Sequence, residues 1–236
     1  MKKFTLRLTL LTLLTCFSAL ASKAQNGYDF SQYDLGASLN FNSFYGDTQT
    51  SKSTNSASFN FTYNQTAFLN YIFELQVGKL MGGDSTKDYL GRQFTTDYHY
   101  FAFRIQLQAG EIMDYSRSKF MNALKNFYVG GGLGMVYSNV TNINRYSIQY
   151  IGFYTPGVDK ASQLFFPARI GYEFKLFNKN QRPDVKIDIG YQYNIIFGDN
   201  IDGFKAGSHN DAVGQFTVGM KFSVGGVTSY RKEITW

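Results

Sequence analysis

The sequence predicts an all-β fold, an eight-stranded antiparallel transmembrane β-barrel with periplasmic termini. Eight separate stretches alternate apolar and polar residues with period two, each close to the length that crosses a bilayer with tilt. Aromatic residues make up 18% of the chain although its mean hydropathy is −0.25, as expected of a barrel with a lipid-facing wall, aromatic rims and a polar interior. A soluble β-sandwich also alternates, but it does not call for strands of this length.

The strands follow in order. The first sets Leu35, Ala37, Leu39 and Phe41 against Gly36, Ser38, Asn40 and Asn42. The second sets Phe59, Phe61 and Tyr63 against Ser58, Asn60, Thr62 and Asn64. In the third, Tyr71, Phe73, Leu75 and Val77 oppose Glu74, Gln76 and Gly78. In the fourth, Phe101, Phe103, Ile105 and Leu107 oppose Tyr100, Arg104, Gln106 and Gln108. Strand five turns Val129, Leu133, Met135 and Tyr137 outward and Gly130, Gly132 and Gly134 inward, making room for bulky neighbours such as Tyr128 or Arg169. Strand six alternates Ile170, Tyr172, Phe174 and Leu176 with Arg169, Gly171, Glu173 and Lys175. Strand seven alternates Val185, Ile187, Ile189, Tyr191 and Tyr193 with Lys186, Asp188, Gly190 and Gln192. The eighth alternates Phe216, Val218, Met220, Phe222 and Val224 with Thr217, Gly219, Lys221 and Ser223.

An even strand number returns both termini to one side and lets the sheet close, which removes edges that lipid cannot satisfy. Strands are expected over about 33–225, with a periplasmic tail at 226–236. Extracellular loops are expected at 47–56, 81–96, 139–163 and 199–211, and short periplasmic turns at 66–70 and 178–184. The link 110–126 is unusually long for a periplasmic turn. Phe120, Leu124 and Phe127 recur in it at near-helical spacing, so it reads either as an insertion or as a short interfacial helix.

The ends point to export. Lys2, Lys3 and Arg7 precede the apolar run Leu8 to Leu20, and small residues follow, so residues 1–24 read as a signal peptide and 25–236 as the barrel. Cleavage after Ala24 is favoured over Ala21; a lipoprotein would use Cys16, but Thr15 stands where a small residue is required. Cys16, the one cysteine, leaves with the signal. Removing Lys2, Lys3, Arg7 and Lys23 from 23 basic residues leaves 19 against 17 acidic ones, a balance without the basic excess of a nucleic-acid binder.

The inward set carries Glu74, Arg104, Arg169, Glu173, Lys175, Lys186, Asp188 and Lys221. In a lumen just wide enough for side chains, charges of both signs are expected to pair and plug the interior, with Glu74 next to Arg104, and Glu173 and Lys175 beside Lys186 and Asp188. The sharper alternative is an ion path or catalytic cluster. Chemistry finds little support: the histidines are His99, outward at the end of a strand, and His209, in a loop with Asp211. Gly130, Gly131, Gly132 and Gly134 lie inside a strand, where a phosphate loop cannot operate, and Asp199, Asp202 and Asp211 match no calcium-loop spacing. The expectation is a non-enzyme without cofactor or metal.

Thr217-x-Gly219-x-x-Phe222-x-Val224 resembles the C-terminal signal read by the barrel assembly machinery, although twelve residues follow it. Four further segments resemble Bacteroidota-type outer-membrane β-barrel proteins: Phe41 to Asp47, Leu75 to Asp84, Tyr128 to Gly134 and Phe166 to Tyr172. The resemblance implies a small outer-membrane barrel in contact with outer-membrane lipids and lipopolysaccharide. It also implies, for some members, an accessory role in type IX secretion through a periplasmic partner. A structural or interaction role is the first expectation, and a small pore or a lipid-modifying enzyme the remote ones.

Overall fold

The computed structural model describes residues 27–88, 90–116, 118–147, 149–206 and 210–231. The expected signal peptide at 1–24, His209 and residues 232–236 lie outside them. Eight antiparallel strands follow one another in chain order around a closed barrel: β1 (Gly27–Tyr45), β2 (Ser53–Asn64), β3 (Leu69–Gly83), β4 (Gln93–Gln108), β5 (Phe127–Asn144), β6 (Lys160–Phe177), β7 (Pro183–Ile196) and β8 (Ala212–Arg231). β8 pairs with β1 and leaves no free edge. The periplasmic link holds two short helices, α1 (Ala109–Ile112) and α2 (Lys119–Leu124).

Every expected alternation is a strand, with the expected residues outward. Leu39, Phe59, Val77, Phe103, Leu133, Ile170 and Phe222 are exposed on the wall, while their sequence neighbours are turned inside. Outward rings gather at two levels. Toward the chain ends, Tyr33, Phe61, Tyr63, Tyr71 and Phe103 form a continuous girdle with centroids 5.7–6.2 Å apart. Toward the other rim stand Phe41 with Phe216 at 6.3 Å and His99 stacked on Tyr137 at 5.2 Å. The apolar wall between two aromatic levels suits lipid, not water.

The expected limits need correction at both ends of the barrel. On the loop side β2 starts at Ser53, β3 runs to Gly83 with β4 from Gln93, and β5 runs to Asn144 with β6 from Lys160, so the loops expected at 47–56, 81–96 and 139–163 are shorter because the ladder continues beyond the apolar alternation. The barrel does not stop near 225: β8 runs to Arg231 and β1 starts at Gly27, so 226–231 is strand, not tail. The ladder pairs Tyr33 with Val224 and Ser31 with Val227, setting Gly225 and Gly226 against the single residue Gln32. Gly225 has φ 84°, and a side chain there would meet the Tyr33 ring. This is a glycine bulge, which bends a strand without ending it.

Glycines also admit the large inward rings, in part at positions other than expected. Tyr128 is fully buried, and its hydroxyl would lie 2.5 Å from a Cβ at either Gly171 or Gly190. Those glycines belong to β6 and β7 and continue the row that Tyr128 starts: Gly171 pairs with Tyr128 and Gly190 with Gly171, so the ring lies over them. Among the β5 glycines, Gly134 clears the Phe165 ring and Gly132 the β4 backbone. Gly190→Val should therefore overpack the lumen and cost about 1–3 kcal/mol, while Gly226→Val, with only the Gln32 side-chain oxygen at 3.8 Å, should be neutral. The temperature at which each variant loses its compact, heat-modifiable gel migration checks this.

Candidate functional site: the closed lumen and its two rims

The lumen is layered. At the periplasmic end Phe30, Ala67, Phe68 and Tyr115 form a buried apolar cap against which Tyr230 packs. Lys175 sits directly above it. Its ammonium lies 4.6 Å from the Phe68 ring centroid and donates to the Ala67 carbonyl and to Gln108 Oε1, both at 2.7 Å.

An ionic layer follows. All eight sequence-predicted lumen charges point inward and are buried. Arg169 pairs with Asp188 at 3.1 Å and Lys221 with Glu173 at 2.8 Å; Lys221 also approaches Asp188 at 3.6 Å, and Lys175 approaches Glu173 at 3.9 Å. Arg104 pairs with Glu74, whose other oxygen accepts from the Tyr100 hydroxyl at 2.5 Å. The expected Glu74–Arg104 pair is present, but the expected partnership between β6 and β7 is not the one that forms. Register sets Glu173 opposite Asp188 and Lys175 opposite Lys186, like against like. Like charges face to face are unfavourable, so the side chains reach other partners across the narrow lumen.

One partner lies outside the sequence-predicted set. Lys186 bonds Asp34 Oδ2 at 2.6 Å, and Asp34 also accepts from Ser223 Oγ at 2.7 Å and Asn64 Nδ2 at 2.9 Å. Asp34 lies two residues before inward Gly36, so its parity could have placed it. Tyr128, expected only as bulk, also bonds: its hydroxyl donates to Asp188 at 2.5 Å and accepts from Arg169 Nε at 2.9 Å. Above this layer Gln76, Gln192 and Gln215 link the walls through side-chain hydrogen bonds, among them Gln215 Nε2 to Gln76 Oε1 at 3.2 Å.

The extracellular half departs from a polar lumen. Phe44, Leu80, Phe94, Tyr98, Val136, Phe165, Ile196 and Val213 form one buried apolar cluster, and Ile201 and Phe204 enter it from the last extracellular loop. The residual cavity among them is about 20 Å³, room for about one water. The loop is pinned in place. Thr96 Oγ1 donates to the Ile201 carbonyl and Ile201 N to Asp211 Oδ2, both at 2.9 Å. Phe204 N donates to Asp202 Oδ1 at 2.9 Å, and Arg145 Nη2 to the Gly203 carbonyl at 2.9 Å. Gly203, at φ 82°, makes the turn between the two inserted side chains. Barrel and loop together plug the mouth.

Asp47, Asp199, Asp202 and Asp211 gather around this plug, facing the cations Arg92 and Lys205. Burial, reinforced by the neighbouring carboxylates, pushes Asp202 up to about 7 and Asp211 to about 8. Among the described residues, no group of three His, Cys, Asp or Glu side chains is placed to hold a metal ion.

The Thr217 and Gly219 positions of the expected assembly signal face the lumen and Phe222 and Val224 the outer wall, all in the final strand. His99 is on the outer wall as expected. On the extracellular side a small hairpin is tied by the Tyr146–Tyr154 bridge and by Ser147 N to the Phe153 carbonyl at 3.1 Å. It exposes Tyr146, Tyr150, Ile151, Phe153 and Tyr154.

No family model matches the chain, and no curated protein matches it. Solved structures do. Neisserial surface protein A (NspA) is similar with TM-score 0.51 and 13% identity, covering 84% of this chain and 99% of its own. Ail, the attachment invasion locus protein of Yersinia pestis, covers 80% and 96% at 12% identity and TM-score 0.45. The outer membrane protein OprG from Pseudomonas aeruginosa covers 89% and 100% at 12% identity and TM-score 0.42.

The titration of the plug has a definite sign. Asp202 and Asp211 keep their protons in the closed loop to about pH 7–8, whereas in an open loop they ionise near 3.8. The closed state binds more protons, so the plug loses stability as pH rises from about 4 to about 8 and is firmest in acid. Amide exchange at Ile201 and Phe204, corrected for intrinsic rate, should be more protected at pH 5 than at pH 8. Asp211→Asn should flatten that dependence. The chain has the fold of the small eight-stranded outer-membrane β-barrels.

Proposed function

We propose that this chain is an integral outer-membrane β-barrel, exported by its signal segment, with a structural or protein-interaction role and no catalytic one. The observation that carries the reading is a lumen closed three times over, by the Phe68 cap, the ionic layer and the Ile201–Phe204 plug. A wall of this kind serves as a stable frame for what stands outside it, and the aromatic hairpin at 146–154 offers the kind of exposed surface partners use. The outer wall takes membrane lipid and, in the outer leaflet, lipopolysaccharide. The motif Thr217, Gly219, Phe222 and Val224 serves the assembly machinery during biogenesis.

The second reading is an accessory barrel of type IX secretion that tethers a periplasmic ring. It is supported by the resemblance to Bacteroidota-type barrels and by the periplasmic link, much longer than the turns at 65–68 and 178–182. A pore is disfavoured by the layered closure. An enzyme is disfavoured by His99, which stacks on Tyr137 on the lipid-facing wall.

Planar bilayers test the primary reading. The purified barrel should give no conductance steps, and deletion of 199–206 should leave it silent because the ionic layer remains below. Steady conductance in the intact barrel would contradict the reading. A periplasmic ring co-purifying in mild detergent, and lost on deleting 111–125, would favour the secretion role instead.

A further inference from the structure

The periplasmic link exposes three large apolar side chains. Ile112 is 75% exposed at the end of α1, and Phe120 and Met121 are 68% and 36% exposed in α2. The link is firmly held. Gly110 N donates to the Lys125 carbonyl at 2.8 Å and closes its base, Glu173 N donates to the Asn126 carbonyl at 3.1 Å, and Ser118 caps α2 by accepting from Met121 N at 3.2 Å. Its inner side is spent on the barrel: Tyr115 is buried in the Phe68 cap, Asn122 is buried, and Glu111 accepts from Thr66 Oγ1 at 2.6 Å. Fixed backbone with apolar groups turned outward is not what a water-facing loop shows.

The position of α2 says what covers those groups. Tyr172 belongs to the outward row of β6, together with Ile170 and Phe174, and its hydroxyl donates to the Ala123 carbonyl at 2.6 Å. Phe127, which opens β5 directly after the link, pairs with Tyr172 in the ladder and is exposed on the same wall. The last turn of α2 is therefore tied to the outer wall at the periplasmic edge of the apolar belt. The helix's apolar side chains continue the surface that meets lipid, and Lys119, exposed at its start, suits the phosphate level.

We propose that the link is an interfacial foot which inserts Ile112, Phe120 and Met121 into the boundary between headgroups and acyl chains of the periplasmic leaflet, with phospholipid as its partner. Short apolar segments lying in the interface plane bind in this way. The inference rests on the membrane reading above and assigns the link to lipid rather than to a protein ring.

The chain has a single tryptophan, Trp236, so Trp236→Phe gives a dark background for reporters. On that background Phe120→Trp reports the foot, Leu133→Trp the lipid-facing wall level with the Phe103 girdle and Ile151→Trp the extracellular hairpin. Each variant is reconstituted in phosphatidylcholine vesicles with or without acyl chains brominated near the headgroup, after heat-modifiable migration confirms folding. Ile112→Trp replaces Phe120→Trp if that variant does not fold. Emission of the Phe120→Trp variant should fall roughly twofold or more in brominated lipid, as should that of Leu133→Trp, while Ile151→Trp stays bright. A bright foot reporter beside a quenched wall reporter overturns the foot and leaves the membrane reading intact. Brightness of both overturns the membrane reading and the foot with it.

Discussion

Pairing of inward charges across a lumen too narrow to hydrate them is the interaction on which the rest of this structure depends. Arg169, Asp188, Lys221, Glu173 and Lys175 form one connected chain of ion pairs, with Lys186–Asp34 and Arg104–Glu74 beside it. These residues come from six different strands, so the network joins walls that are far apart in sequence. Buried charges are costly when unpaired, and the lumen meets that cost by geometry. Closure of the sheet is its precondition: only when β8 meets β1 does Lys186 find Asp34.

That network also explains the division of the interior. Below it, Lys175 spreads its charge over the Phe68 ring and the Ala67 carbonyl, so the cap can be apolar. Above the ionic and glutamine layers the lumen becomes a small apolar core that accepts Ile201 and Phe204. The weak point of that core is its rim, where Asp202 and Asp211 are buried among other carboxylates. Rigid in the middle and proton-sensitive at the mouth, the barrel can vary its outer loop without disturbing its frame.

The wall was legible from alternation alone because a period of two leaves no freedom: once Phe101 points to lipid, Arg104 must point inward. Ion partners were only partly legible, since parity gives the face but not the register. The stagger that sets Glu173 against Asp188 is visible only in the closed ladder. Asp34 escaped because it lies before the obvious apolar run of its strand. The extension to Arg231 escaped because a glycine pair reads as a stop, whereas Gly225 makes a bulge. The plug had no local signal at all: Ile201 and Phe204 stand in a polar loop, and their burial is a property of the chamber they enter.

The most direct test of charge pairing as the keystone is a double-mutant cycle on Glu74 and Arg104 in lipid vesicles, read by reversible denaturant unfolding. Glu74→Gln and Arg104→Met should each cost about 3–5 kcal/mol, because each leaves a buried charge alone, and the double variant should cost less than the two single losses combined. Additive losses would contradict the account and reduce the lumen charges to independent passengers.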